Sequence, residues 1–317
     1  MLSVQSSLKT KYNPKKHLII IVGPTAVGKT SLSIDLAHFF NCPIVSFDSR
    51  QFYKEMNIGT AKPSVEELNS AEHLFINSHS ILSDYTAGKF ESEALQKLET
   101  VFQANDVCIA VGGSGLYIDA LVFGIDAMPS DIKIRTKWKQ THQTGGLQPL
   151  QKFLDKHNPE VFDFIDRNNH ARMIRAIEVI EITKKKFTDH RKNTPKSRPF
   201  TPLWVGLEME REELYNRINL RVDKMIERGL KEEAKSLVPH RLHSALKTVG
   251  YAEFFDYFEG NQNLEKTIEL IKRNSRRYAK RQMTWFSRNE AISWFSPNSK
   301  GNILASIQAA INDKQNR

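Results

Sequence analysis

Four short apolar runs set the rhythm of the first third of the chain: HLIIIV (17–22), CPIVSFD (42–48), HLFINSH (73–79) and VCIAVGG (107–113). Their length, with β-branched or aromatic residues between polar or glycine-bearing flanks, predicts strands. Between them, TSLSIDLAHFF (30–40) and KFESEALQKLETVFQ (89–103) repeat apolar residues every three or four positions, which predicts helices. Strand alternating with helix predicts an α/β fold, a parallel sheet with helices on both faces. From 127 to 199 the strand signals stop, and the segment reads as a helical, basic insertion punctuated by MPSD, TGGLQP and NTPKSRP. PLWVGLEM (202–209) predicts a strand returning to the sheet, with helices from there to the end. The expected organisation is a core over 1–126 and 200–317 interrupted by an all-helical insertion at 127–199.

Composition narrows the class. A chain of 317 residues with 40% hydrophobic and 26% charged residues builds a sizeable core and about two domains. MLSVQSSLKTKYNPKK at the start has no apolar signal region, and no apolar run approaches 18 residues. A cytoplasmic protein without membrane spans is therefore expected. Cys42 and Cys108 lie in strand-like contexts and are expected as buried thiols. The 46 basic against 36 acidic residues give a net charge of +10, compatible with a polyanionic partner but not specific for one.

The chemistry begins at GPTAVGKT, between the first strand and the first helix. Gly23, Pro24, Thr25, Ala26, Val27 and Gly28 form a loop whose backbone N–H groups, with the following helix N-terminus, converge on a diphosphate. Lys29 adds a mobile charge, and Thr30 a hydroxyl suited to Mg²⁺. The fold is thus expected to be that of a phosphate-loop nucleotide-binding core, with ATP one candidate for the loop. A nucleotide hydrolase would carry an acid at the end of a later strand. VCIAVGGSG ends instead in glycines and Ser114, whereas PIVSFD ends in Asp48, placed to bind or deprotonate an acceptor. This pattern fits a group transferase better than a motor or switch.

DSRQFYKEMNIGTAKP (48–63), GPTAVGKT and GGSGLY (112–117) together resemble the tRNA dimethylallyltransferases. The likeness continues through HARMIRAIEV (170–179), LYNRINLRVDKMIERGL (214–230), TVGYAEF (248–254) and RYAKRQMTWF (277–286), covering nearly the whole chain. The family implies transfer of a dimethylallyl group from dimethylallyl diphosphate to the exocyclic amine of the adenine 3′ of the anticodon. Its tRNAs read codons beginning with U, and the loop holds the leaving diphosphate rather than ATP. By that resemblance Asp48, Ser114 and Arg221 are catalytic, Arg217 assists Arg221 with the diphosphate, and Mg²⁺ sits at Thr30. The tRNA contacts implied are Asp48, Ser49, Arg50, Gln51, Ser114 and Arg135. They continue with Ala171, Arg172, Met173, Ile174 and Arg175, then Lys247, Gly250 and Tyr251. Arg277, Lys280, Arg281, Gln282, Thr284 and Trp285 complete them. Three positions depart from the family pattern: Ser114 stands where Thr is commoner, Gly115 replaces a larger residue, and Ala252 replaces a basic one.

Two basic stretches fit an RNA partner. KRNSRRYAKRQMTWFSR (272–288) holds seven basic residues and no acid, several spaced to share one helical side, with Tyr278 and Trp285 interleaved for stacking on bases. KKKFTDHRKNTPKSR (184–198) holds seven basic residues and one acid. His240 and His243 lack the companions of a zinc site. The expected partner is the anticodon stem-loop, and the expected state a monomer. An adenylate isopentenyltransferase acting on a free nucleotide, a small-molecule kinase, and a non-enzymatic RNA-binding module stay open at this stage.

Overall fold

The computed structural model describes residues 15–192 and 194–315. The amino-terminal stretch read above for export signals therefore lies largely outside the described residues, as does Asn193 of the second basic stretch. β1 (His17–Val22) leads through the phosphate loop into α1 (Lys29–Phe40), followed by β2 (Ile44–Ser46), α2 (Val65–Ser70) and β3 (His73–Leu74). α3 (Ala87–Ala104), β4 (Val107–Val111) and α4 (Gly115–Phe123) complete the first segment. Next come α5 (Ile132–Gly145), α6 (Gln148–His157), α7 (His170–Thr183) and the short α8 (Phe187–His190). The chain continues as β5 (Thr201–Leu207), α9 (Arg211–Glu227), α10 (Leu230–Ser236), α11 (Ala252–Phe258), α12 (Leu264–Phe286), β6 (Ser293–Phe295) and α13 (Lys300–Gln315).

The six strands form one parallel sheet in the order β3-β2-β4-β1-β5-β6. All six residues of β1 are fully buried between β4 and β5. Their side chains alternate between two apolar layers. Leu18, Ile20 and Val22 pack with Phe90 and Leu98 of α3 and Ile118 of α4. Ile19 and Ile21 pack with Leu32 and Leu36 of α1 and Ile303 and Ile307 of α13. Each such side chain stabilises the fold by about 1.5–3 kcal/mol relative to exposure. Because β1, β2 and β4 are adjacent and parallel, their carboxyl ends bring Gly23, Asp48 and Gly112–Ser114 to one edge.

Two expectations about strands need correction. HLFINSH forms strand only at His73–Leu74, since Phe75 and Asn77 adopt positive φ (68° and 53°), which breaks extended backbone. The carboxyl-terminal part is not all helix: Ser293–Phe295 pairs with Val205–Leu207, a run too short to show a period. Cys42 and Cys108 are both buried and free, and burial pushes the Cys42 thiol up to about 12. Among the described residues no helix is long and apolar enough to cross a membrane.

The chain divides into two compact units, one of residues up to Phe123 and from Lys196 onward, the other of Gly124–Pro195. The second unit contains α5 to α8 and has its own core, including Trp138, Leu150, Leu154, Met173, Ile174 and Ile177. Beside that core the buried Glu178 accepts hydrogen bonds from Arg135 (3.1 Å), Arg175 (2.7 Å) and the Asp131 N–H (2.8 Å).

Candidate active site

The phosphate loop is shaped by two glycines. Gly23 has φ 141°, and a Cβ there would lie 2.4 Å from the Leu207 carbonyl oxygen. Gly28 has φ 113° and caps α1 with no side-chain hydrogen bond, so the first-turn N–H groups of α1 receive no capping side chain. The dipole and the N–H groups together make that end of α1 an anion site. Lys29 donates to the carbonyls of Gly23 (3.0 Å) and Pro24 (2.8 Å), which holds its amine over the loop. Burial pulls its pKa down to about 7; the charge of Asp48 acts upward and that of Arg221 downward.

Asp48 follows β2 and is half-buried, with one carboxylate oxygen accepting the Arg50 N–H at 3.0 Å. Its charge is felt by Lys29, Arg221 and Tyr278, which sets these four groups in one electrostatic neighbourhood. Arg221, on α9, donates to the Thr25 hydroxyl at 3.0 Å, joining that helix to the loop. Ser114 starts the turn into α4; its hydroxyl accepts the Ser49 N–H (2.9 Å) and donates to the Ser49 hydroxyl (3.0 Å). Burial raises the Tyr278 pKa, Asp48 adds to that, and Arg50, Ser114 and Arg281 oppose it.

A cavity of about 790 Å³ opens onto Asp48, Arg221 and Tyr278. Thr25, Asp48, Ser49, Arg50, Arg221, Tyr278 and Arg281 give it a polar lining, and Ile218, Val222 and Met225 of α9 an apolar wall. The arrangement combines anion-binding N–H groups and cations, a carboxylate with hydroxyls beside it, and an apolar surface. Chemically it can hold a diphosphate bearing an apolar group while a nitrogen or oxygen acceptor meets the carboxylate.

The segment after Asp48 is pinned from α10. The Glu233 carboxylate accepts the N–H groups of Asn57 (3.1 Å), Ile58 (2.8 Å) and Gly59 (3.0 Å), and the Tyr251 hydroxyl (2.6 Å). A Cβ at Gly59 would meet the Tyr251 ring at 2.6 Å.

Several residues expected at the site stand elsewhere. Arg217 is exposed, 3.9 Å from Glu213, and does not line the cavity. One helical turn carries it about 6 Å along α9 from Arg221. Tyr251, expected to face RNA, is fully buried and occupied by Glu233, while Gly250 beside it lines the cavity with a φ of 96°. Gln51 donates its amide to the carbonyls of Thr60 (3.2 Å) and Ala61 (3.1 Å), bracing its own loop. Met173 and Ile174 point into the core of the helical unit, whereas Ala171 and Arg172 are exposed. Arg135 and Arg175 are engaged by Glu178, and Arg175 also donates to the Pro129 (2.8 Å) and Met128 (2.9 Å) carbonyls.

On α12, Arg277, Lys280, Arg281 and Thr284 are exposed, and Arg277 and Arg281 reach the cavity; Lys247 is exposed there too. Gln282 is instead buried between two loops. Trp285, expected as a stacking platform, donates Nε1–H to Asp119 at 3.0 Å and packs against the core. Burial raises the Asp119 pKa to about 6, against the lowering effect of that bond. This explains Gly115: a Cβ there would lie 2.2 Å from the indole nitrogen. The sequence pattern missed Glu233, Asp119 and the inward face of α12 because their partners are distant in the chain. The only sequence signal was polar residues spaced among apolar ones, which solvated faces share.

The family model described as IPP transferase matches residues 51–290. A tRNA dimethylallyltransferase of Flavobacterium johnsoniae is 48% identical over 296 residues, covering 91% of this chain and 96% of the relative. The chain belongs to the IPP transferase family. A relative in Cytophaga hutchinsonii, also named tRNA dimethylallyltransferase, is 44% identical and covers 94% of this chain and 98% of its own length. Among solved structures, the tRNA isopentenylpyrophosphate transferase of Bacillus halodurans is similar with a TM-score of 0.71 and 36% identity, over 95% of this chain and 99% of that one. A eukaryotic dimethylallyltransferase acting on tRNA has the same TM-score at 28% identity, over 86% of this chain and 70% of that one. The α/β fold read from strand and helix alternation is that of these IPP transferases, and the phosphate loop lies just ahead of the matched region.

Proposed function

We propose that this protein transfers a dimethylallyl group from dimethylallyl diphosphate to the exocyclic amine of an adenine in tRNA and releases diphosphate. The acceptor is the adenine 3′ of the anticodon in tRNAs reading codons that begin with U. The observation that carries the reading is the convergence of the phosphate loop, Asp48, Ser49 and Arg221 around one cavity, with Ser114 hydrogen-bonded to Ser49. The family membership and the names of its relatives support it.

In this reaction the amine nitrogen bonds to the first carbon of the allyl group as the carbon–oxygen bond to diphosphate breaks. The exocyclic amine is a weak nucleophile because its lone pair is delocalised into the ring. Asp48 accepts one of its protons, and the Ser49–Ser114 hydroxyl pair orients the base edge. Positive charge develops on the allyl carbon and negative charge on the leaving oxygens. The N–H groups of the loop, Lys29 and the Arg221 guanidinium meet that negative charge in place, without reorganisation. The apolar wall from α9 shelters the allyl group from water.

A Mg²⁺ ion fits this donor set. Thr30 offers a hard oxygen in the first turn of α1, and Mg²⁺ favours one or two protein oxygens with phosphate oxygens and water. Such an ion would neutralise charge on the departing diphosphate. The protein is taken to act as a monomer in the cytoplasm.

The RNA would lie along the exposed cations of α12, and the target base would leave the anticodon stack to reach Asp48. The Gly124–Pro195 unit would grip the anticodon arm through Arg172 and the exposed Lys184 and Lys185. Replacing Arg277 and Arg281 together with alanine is expected to weaken tRNA binding and flatten its salt dependence. The slope of log affinity against log salt should fall by about 0.7 for each single-stranded phosphate that is no longer neutralised. Titrations at several salt concentrations check this, and an unaltered slope would mean a merely solvated face.

The functional reading is tested by offering labelled dimethylallyl diphosphate and Mg²⁺ with unmodified tRNA, with AMP, or with ATP. Label in tRNA supports it. Label in AMP alone indicates a free-nucleotide enzyme, and ATP consumption without label transfer indicates a kinase.

A further inference from the structure

Gln282 sits on the basic helix α12, yet only 5% of it is exposed. Its Oε1 accepts the Thr25 N–H of the phosphate loop at 2.8 Å. Its Nε2 donates to the Gly113 carbonyl, beside Ser114, at 3.0 Å. One side chain thus spans the two loops that carry the opposite halves of the proposed chemistry. Each loop is coupled onward: the Thr25 hydroxyl receives Arg221 at 3.0 Å, and Ser114 receives the Ser49 N–H at 2.9 Å. The fit leaves no slack, because a Cβ on Gly113 would fall 2.0 Å from Nε2.

Only a primary amide of this length meets both demands. Glutamate would place a carboxylate oxygen against the Gly113 carbonyl, and asparagine is one methylene too short. A solvated helix face has no use for such a group, and its burial removes it from direct contact with RNA.

We propose that Gln282 is a positioning residue that sets the register of the diphosphate loop against the Gly113–Ser114 loop, without touching either substrate. This rests on the transfer reaction proposed above. Small misplacement of reacting groups is costly, and a shift on the order of 1 Å can slow a reaction about 10²-fold.

The test uses the full chain with Gln282→Met, which keeps the length of the side chain and deletes both hydrogen bonds. Single-turnover transfer at saturating tRNA is expected to slow by about 10–100-fold. Affinity for tRNA and its salt slope should stay at wild-type values. The slowing should overlap with that of Arg221→Ala, so that the double variant loses less than the product of the single effects, and should multiply with that of Arg277→Ala. Gly113→Ala, which crowds the amide from the other side, should reproduce the slow transfer and serves if the methionine variant fails to fold. An unchanged transfer rate, weakened tRNA binding with full rate at saturation, or multiplicative effects with Arg221→Ala would overturn the assignment. A wild-type chain that transfers no label would overturn the functional reading itself, which keeps the two failures apart.

Discussion

Asp48→Ala is expected to slow prenyl transfer by about 10²–10⁴-fold while tRNA affinity changes little. The carboxylate stands at the end of β2, held by the Arg50 N–H, with Ser49 and Ser114 beside it. The alanine variant leaves the phosphate loop and the basic helix in place but removes the proposed proton acceptor. The loss corresponds to about 3–5 kcal/mol of transition-state stabilisation. Single-turnover transfer and an independent tRNA-binding titration check it together. Weakened tRNA affinity with the full rate at saturating tRNA would contradict the assignment, since losing a group that binds ground and transition states alike lowers affinity without slowing the bound complex.

The second large effect concerns pH. Lys29 has its pKa pulled down to about 7 by burial. A bound diphosphate places negative charge beside the amine and raises that pKa. Below pH 7 the amine is already charged and binding takes up no proton. Above pH 7 the free protein is neutral there, so binding must take up a proton and the apparent affinity falls. The fall is expected to reach about tenfold per pH unit, from pH 7 up to the raised value, with one proton taken up at pH 8 or above. A terminal phosphate with a second pKa of about 6 is ionised throughout that range and adds little. Calorimetry of dimethylallyl diphosphate binding, in buffers of different ionisation enthalpy at pH 7 and pH 9, measures both quantities. Lys29→Ala should bind weakly at pH 7 and lose the dependence. Affinity that is flat from pH 7 to 9 in the wild type would show that the amine stays charged.

Much of this architecture was legible in the chain. β1 and β4 are continuous apolar runs because both faces of a parallel strand are buried, and GPTAVGKT falls at the only kind of junction where its spacing works. Asp48 was readable as the acid ending an apolar run. What stayed hidden were relations set by tertiary packing. Gln282, Trp285 and Tyr251 sit in motifs that resemble RNA-contact stretches, yet they face inward and pair with Thr25, Asp119 and Glu233. Arg217 and Arg221 share helical spacing, but only Arg221 lines the cavity. Spacing fixes a face of a helix and leaves open what lies opposite each turn. The second helical unit shows the same limit: Arg135 and Arg175 read as tRNA contacts, and the buried Glu178 that holds them is distant from Arg135 in sequence.

The central claim is that this one cavity joins an allylic diphosphate to an adenine of tRNA. Its most direct test is to react the protein with labelled dimethylallyl diphosphate and unmodified tRNA reading a codon that begins with U, then digest the RNA and locate the label. The expected result is label on the exocyclic nitrogen of the adenosine 3′ of the anticodon, appearing about 10²–10⁴-fold more slowly with Asp48→Ala. Label at another nucleotide, or label undiminished by Asp48→Ala, would contradict it.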